Sequence, residues 1–285
     1  MAYTSEGYSA RQILAYKQRV ELLPMTVTTD GVAEGATFKF LIGDNGTDEA
    51  TTRGANGNIQ YSALPRSQAT VTMEEWIAAY RETGFNIFTS QQSGQIEKMM
   101  QDACNGKISR KKDQIILSAL SGATLSTGTA TVASFSQVQK ALTTLQNAGV
   151  PSDGFISMVV SPAYKQYMSQ WTEFNNAQLV GTEQLTLSSG GPVFTNQIQM
   201  WRWNGLNVIV HPKLAGVGTN NETCYIYHNR AVGLGFNTSA EKIAVGFNDE
   251  QRYSYVNQET YIGAVILQNT GIVKIPHDGS ALQLS

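Results

Sequence analysis

The longest regular pattern in the chain runs from Gln95 to Leu120, QIEKMMQDACNGKISRKKDQIILSAL. At helical spacing Ile96, Met99, Met100 and Ala103 form one apolar stripe. Ile115, Ile116, Ala119 and Leu120 form another, and Ile108 lies between them. Glu97, Lys98, Asp102, Lys107, Arg110, Lys111, Lys112 and Asp113 mostly fill the remaining faces, and no proline interrupts the run. The pattern predicts one helix about 39 Å long at 1.5 Å per residue. A helix of about 11–12 residues is usual in a globular domain. Gly106 costs about 1 kcal/mol against alanine and marks where a bend would fall. The run Arg110-Lys111-Lys112 reads either as a solvated helix face or as a pairing surface for acidic groups on a neighbour.

Upstream the period changes from helical to alternating. In Ala36 to Ile42, Phe38, Phe40 and Ile42 share one face, and Gly43 ends the run. A polar stretch follows, DNGTDEATTRGANGNIQYSALPRSQ, punctuated by turn signals at Asn45-Gly46, Arg53-Gly54 and Asn56-Gly57. A second alternating run covers Ala69 to Met73. Together these predict a long hairpin with a polar tip. Structureless stretches of this length are uncommon in compact domains and usually serve a purpose. A compact body of this chain length has a radius of gyration of about 19 Å. Ten-residue hairpin legs reach about 33 Å. An isolated two-stranded ribbon is marginal in water and gains stability by lying on something else. The stretch therefore reads either as a surface loop of a β-rich domain or as a ribbon that lies on another chain.

The rest of the chain is mixed. Ala10 to Leu22 predicts a short helix with Ile13, Leu14, Tyr16 and Val20 roughly to one side, closed by Pro24. It reads as an arm on a neighbour or as a frayed terminus. Residues 121–134 are small and polar and read as a linker. Ser136 to Ala148 predicts a helix with Val138, Ala141, Leu142 and Leu145 on one face, capped by Ser134 or Ser136 and ended by Gly149. Phe155 to Val160 is an apolar run, the signature of a buried central strand. Ser161-Pro162 opens a helix through Trp171. Residues 175–205 read as loop. Strands are expected at Leu206 to Val210 and at Tyr225 to Tyr227, and throughout the tail from Ala231. The tail includes a long run from Tyr261 to Ile275 in which Gly263 and Gly271 mark a bulge or turn.

Composition narrows the function. The chain has 285 residues, a formal net charge of -2 and 15% charged residues. No basic surplus points to tight nucleic-acid binding. The two cysteines, Cys104 and Cys224, lie far apart in no metal or redox spacing and read as reduced core residues of a cytoplasmic protein. No apolar leader and no run long enough to span a membrane occurs. The three histidines, His211, His228 and His277, stand apart from each other and from the cysteines, so they read as structural or solvated. The glycine clusters at 188–193 and 215–220 fit no phosphate-binding motif, and no GxSxG elbow occurs. Glu74/Glu75 and Asp249/Glu250 are adjacent pairs that point different ways on a regular element. Trp171, Trp201 and Trp203 read as packing residues, or as the lining of a sugar groove. No cofactor and no metal is expected. A chain this long without a chemical constellation, with a polar outrigger and a long helix, reads as a building block.

Several segments, taken in order, strengthen that reading. Gly35-x-x-Phe38-x-Phe40-x-Ile42-Gly43 with its glycine-rich sequel resembles the extended loop of the Hong Kong 97 fold, the fold of tailed-phage major capsid proteins. Lys111-Lys112-Asp113-Gln114-Ile115-Ile116-Leu117-x-Ala119-Leu120 resembles the end of that family's spine helix. Val159-Val160-Ser161-Pro162-x-Tyr164 resembles the strand-to-helix entry of its A-domain. Arg230-Ala231-Val232-Gly233 and Gly263-Ala264-Val265-Ile266-Leu267 resemble the strands returning to its P-domain. The likeness covers about residues 20–275 and is greatest to short-tailed phages of the T-seven-like group.

The resemblance implies an α+β protomer. Its parts would be an N-terminal arm (1–30), an E-loop (31–77), a first P-domain part with the spine helix (78–127), an A-domain (128–232) and returning P-domain strands (233–285). It implies a non-enzymatic subunit that self-assembles as hexamers and pentamers of an icosahedral head around double-stranded DNA, without sequence-specific binding. It further implies a portal protein and, because no long charged helical propeptide is evident, a separate scaffolding protein. The chain would assemble in the host cytoplasm and reside in the virion, with no membrane partner. Contacts between subunits would come from Phe38, Phe40, Ile42, Arg53 and Arg66 on the E-loop and from Arg110, Lys111 and Lys112 on the spine helix. The nearest alternative is an encapsulin-type compartment shell, and a more distant one is a sugar-binding or hydrolytic α+β protein.

Overall fold

The computed structural model describes residues 23–32, 35–43, 57, 61, 63–64, 66–84, 93–175, 200–237 and 241–282. The helix expected at Ala10 to Leu22 and the hairpin tip around Arg53 lie outside the described residues. The elements in order are a short 3-10 turn (Pro24–Thr26), β1 (Thr28–Val32), β2 (Thr37–Gly43), β3 (Arg66–Thr72), β4 (Glu74–Thr83) and α1 (Ser93–Ser121). Next come β5 (Leu125–Ser126), α2 (Phe135–Asn147), β6 (Ile156–Val160), α3 (Pro162–Met168), α4 (Thr172–Asn175), β7 (Met200–Trp203), β8 (Leu206–Val210) and β9 (Glu222–His228). The chain closes with β10 (Val232–Asn237), β11 (Lys242–Asn248), β12 (Tyr253–Ile266) and β13 (Ile272–His277).

Two sheets and a ribbon organise these elements. The first sheet centres on β12, which pairs antiparallel with β10 at its C-terminal end. Residues 253–259 of β12 pair with both β11 and β4, so those two strands flank it on opposite sides. β1 adds to β10 in parallel. The second sheet has six strands in the order β5-β13-β9-β6-β8-β7. Among the described residues β2 and β3 pair with each other and with no other strand, Phe38 opposite Val71 and Phe40 opposite Ala69, as the alternating runs predict.

The expected long helix forms as α1, 29 residues that continue through Gly106 without interruption. Its buried stripe is Met100, Cys104, Ile108, Ile116, Leu117 and Leu120. Met99, expected in the stripe, is 39% exposed, because the sheet below is met by the row one position further on. Asp113 was expected on a polar face and is fully buried. One half of α1 packs with Ala78 and Val256 against the first sheet. The other half joins the main core under the second sheet, through Ile116, Leu117 and Leu120. The helix therefore ties the two sheets together.

The second sheet and its helices follow local signals closely. Ser134 caps α2 in a reciprocal box with Gln137, and Gly149 beyond its end has φ +77°. Ser161 caps α3, accepting from the Tyr164 backbone N–H at 3.1 Å, with Pro162 at the first helical position. All five residues of β6 are buried. The stretch 121–134 is no free linker: β5 pairs with β13, and Thr131 bridges to His277. Met200–Trp203, inside the stretch expected to be loop, forms β7 against β8. The tail run from Tyr261 to Ile275 is two strands, parted by a 3-10 turn at Asn269–Gly271. Gly271 marks that turn, whereas Gly263 lies within β12 opposite Gly235.

Candidate functional site

Among the described residues the ribbon is anchored at its base. Its base buries Phe40, Val71 and Met73 against Tyr261, Val265 and Leu267 of the first sheet. Glycines make this approach possible. A β-carbon on Gly233 would stand 2.8 Å from the Phe40 ring, and one on Gly263 would stand 2.7 Å from Val71 Cγ1 and collide with the Thr72 carbonyl. A side chain at either position forces the ribbon off the sheet. Phe38 stacks edge-on against Phe40 at 4.8 Å and is half-buried, as is Ile42. Arg66, at the far end of β3, is exposed, and beyond it Tyr61 and Leu64 are 89% and 59% exposed. On the other ribbon face Leu41 is 63% exposed. Phe40, expected to face a neighbour, is instead a buried contact within its own chain. Exposure rises towards the tip.

The basic run on α1 divides three ways. The Lys111 ammonium sits 3.4 Å from the Trp76 ring centroid, and Lys107 one turn earlier sits 3.7 Å from Tyr80. Lys111 is thus occupied by its own β4. Arg110 is half-buried with a partner in its own chain. Lys112 is half-buried at the rim of a cavity with Met25 and Glu241.

The three histidines are all buried, and each meets a carboxylate far away in sequence. His211 Nε2 lies 3.4 Å from Asp113 Oδ2, and Asp113 Oδ1 accepts the Leu23 N–H at 3.0 Å. This node joins α1, the end of β8 and the base of the N-terminal arm. His228 Nε2 lies 3.1 Å from Asp153 Oδ1. His277 Nε2 lies 3.1 Å from Glu222 Oε2, and Glu222 Oε1 accepts the Gly218 N–H at 2.9 Å. Burial pushes the His277 ring below the usual histidine value, with Glu222 opposing.

Ser161, His277 and Glu222 therefore come together, although no sequence motif joins them. Their geometry is not that of a nucleophile relay. A relay needs the hydroxyl on one ring nitrogen and the carboxylate on the other. Here Ser161 Oγ, at 3.2 Å, and Glu222 both face Nε2, while Nδ1 faces Cys224 Sγ at 3.7 Å. All four residues are fully buried, and Ser161 Oγ is already the helix cap. The cluster fastens β9, β13 and α3. Among the described residues, Trp171 and Trp203 pack with other rings and form no sugar platform. Trp203 is buried among Phe135, Trp171 and Phe174, at centroid distances of 5.5 to 6.1 Å. The Trp201 side chain lies outside the described residues. Among the described residues no three His, Cys, Asp or Glu side chains gather as metal ligands, and no helix is long and apolar enough to cross a membrane.

Known proteins place this arrangement. The phage capsid protein family matches residues 2–279. No curated protein matches the chain. The solved structure of Mycobacterium phage Che8 superposes with TM-score 0.70 at 13% identity, covering 96% of this chain and 97% of that one. The head structure of Helicobacter pylori bacteriophage KHP40 gives 0.71 at 11% identity, covering 95% and 94%. The capsid of Ralstonia phage GP4 gives 0.64 at 10% identity, covering 96% and 95%. At such identities the likeness establishes the fold, which is of Hong Kong 97 type. With the match along nearly its whole length, the chain belongs to the phage capsid protein family and is a structural subunit of a phage head shell.

Proposed function

We propose that this subunit closes an icosahedral head of hexamers and pentamers around double-stranded DNA, with the outer ribbon as its main reach between subunits. The observation that carries this is the gradient along β2 and β3. The base is seated in a glycine track on its own sheet, while Leu41, Tyr61, Leu64 and Arg66 are exposed. An extended pair of strands with exposed apolar side chains is marginal in water unless another surface covers it. In this reading Ile42, Arg53 and Arg66 serve the adjacent subunit, Phe38 and Phe40 fix the angle of the ribbon, and Arg110, Lys111 and Lys112 hold the spine to its own domain. The five-part division into arm, E-loop, spine, A-domain and returning strands belongs to the same proposal. It takes one adjustment, because β4 runs past residue 77 as a single strand. The subunit acts without an active site. It assembles in the host cytoplasm with a separate scaffolding protein and a portal, and its near-neutral charge suits a lining that does not grip packaged DNA.

Deleting residues 44–65, which leaves both ribbon legs intact, tests the role of the tip. The expected result is a folded protomer with an unchanged melting curve that sediments as small oligomers instead of shells. Normal particles from this deletion would contradict the proposal.

A further inference from the structure

The first sheet ends in an open strand. β11 pairs with β12 along one edge, and among the described residues its other edge pairs with no strand. Residues opposite each other in paired strands share a face. Ile243, Val245 and Phe247 stand opposite Gln258, Val256 and Ser254 of β12, and Val256 is buried beneath α1. This apolar row therefore lies on the side of the sheet that carries the helix. The helix is set towards β4, where Lys107 and Lys111 reach over Tyr80 and Trp76. The row is left 64%, 47% and 50% exposed. On the other face stand the small residues Ala244 and Gly246. The Tyr255 ring lies across Gly246, where a β-carbon would stand 2.8 Å from its hydroxyl oxygen. Exposed sheet edges are commonly protected by a charge, a proline or a bulge. From Ile243 to Asn248, IAVGFN, β11 carries neither a charge nor a proline.

We propose that β11 is a strand through which two copies of this chain meet, paired antiparallel across a two-fold axis at Val245. The order of residues along the strand commits the site to a second copy. With the axis there, Val245 stands opposite Val245 of the second copy, Ile243 opposite Phe247, Ala244 opposite Gly246 and Lys242 opposite Asn248. Every residue of the strand finds a partner, and the apolar pairs fall on one face. An axis one residue away breaks the match: at Ala244, Phe247 would face Glu241, and at Gly246, Ile243 would face Asp249. The charges at the ends agree as well. Lys242 of each copy comes beside the turn at Asp249 and Glu250 of the other, while Glu241 is turned to its own sheet, accepting from the Thr260 hydroxyl at 2.9 Å. The two sheets then run on as one, with six apolar side chains in a strip between two copies of α1. A seven-residue ladder is about 23 Å long. It is too small for a dimer that persists when dilute, since stable interfaces bury at least about 1,200 Å². In a shell, other contacts hold the copies together and raise the effective concentration at this one. The contact uses neither the ribbon nor its tip, so it stands or falls apart from their role.

The test oxidises cysteine variants of the full-length chain under assembly conditions and reads dimers on a non-reducing gel. Opposed residues of an antiparallel pair have α-carbons about 4.5–5.5 Å apart, within the reach of a disulfide. The native Cys104 and Cys224 are both buried. Val245→Cys is expected to link into dimers, and so is the double variant Ile243→Cys/Phe247→Cys. Ile243→Cys alone is expected to link at least tenfold more slowly, because the two copies of that residue lie about 13 Å apart along the pair. The absence of dimers from both Val245→Cys and the double variant would overturn the proposal and leave the row to another occupant, such as a neighbour's ribbon. Linking of Ile243→Cys as fast as Val245→Cys would overturn it too, since the strands would then not be paired about Val245.

Discussion

In the six-stranded sheet β6 buries every residue from Ile156 to Val160, and the histidines at its margins each meet a carboxylate. In the five-stranded sheet β11 leaves Lys242 to Val245 exposed along one edge, and among the described residues the ribbon is buried against this sheet at its base. The same chain builds one sheet that is complete in itself and one that is not. The incomplete sheet is where a shell subunit meets what lies outside its own core. Apolar residues such as Leu41, Ile243 and Phe247 are useful there because nothing among the described residues covers them.

Substitutions in the two sheets sharpen the contrast. Met158→Ala, at a fully buried site in β6, is expected to cost about 2–5 kcal/mol in denaturant unfolding. Gly263→Val under the ribbon base comes next, at about 1–3 kcal/mol from overpacking. Its mark is local: hydrogen exchange should accelerate in β2 and β3 while β6 and β9 stay protected. A cost spread equally over both sheets would remove the seat from the account.

Acid acts on the complete sheet. An unfolded histidine titrates near 6.5, and burial, opposed by Glu222, holds folded His277 below that. The folded protein therefore binds this proton less tightly than the unfolded one. The stabilisation is present above pH 6.5 and is lost as pH falls through the folded value. The melting temperature is expected to drop between pH 7 and pH 5, and His277→Gln should flatten that dependence. The smallest effect on stability belongs to the incomplete side. Leu41→Asp should change unfolding by no more than about 0.5 kcal/mol, because the side chain is largely exposed. It should nonetheless lower shell yield severalfold by sedimentation. An equal loss of monomer stability would mean that Leu41 serves its own subunit.

The sequence makes the local features legible. The spine shows in its 3.6-residue period, the ribbon legs in their alternation, and α2 and α3 in Ser134, Gly149 and Ser161-Pro162. What it hides depends on distant partners. β4 mixes strand formers (Trp76, Ile77, Tyr80) with residues depleted in strands (Glu74, Glu75, Ala78, Ala79, Glu82), and β12 holds it as a strand by pairing with it over ten residues. Asp113 looks like a solvated helix charge until His211, 98 positions away, is brought against it. Gly263 reads as a bulge, although its role is to let Val71 and Thr72 approach the sheet. Phe40 reads as a contact for a neighbour because alternation reveals a buried face without revealing whose surface buries it.

Cryo-electron microscopy of particles assembled from the full-length chain, supplied with its scaffold, tests the central claim most directly. The account predicts ribbon density that leaves its glycine seat and lies across the adjacent subunit, covering Leu41 and Leu64. Closed shells in which the whole ribbon, tip included, rests on its own subunit and touches no neighbour would contradict it.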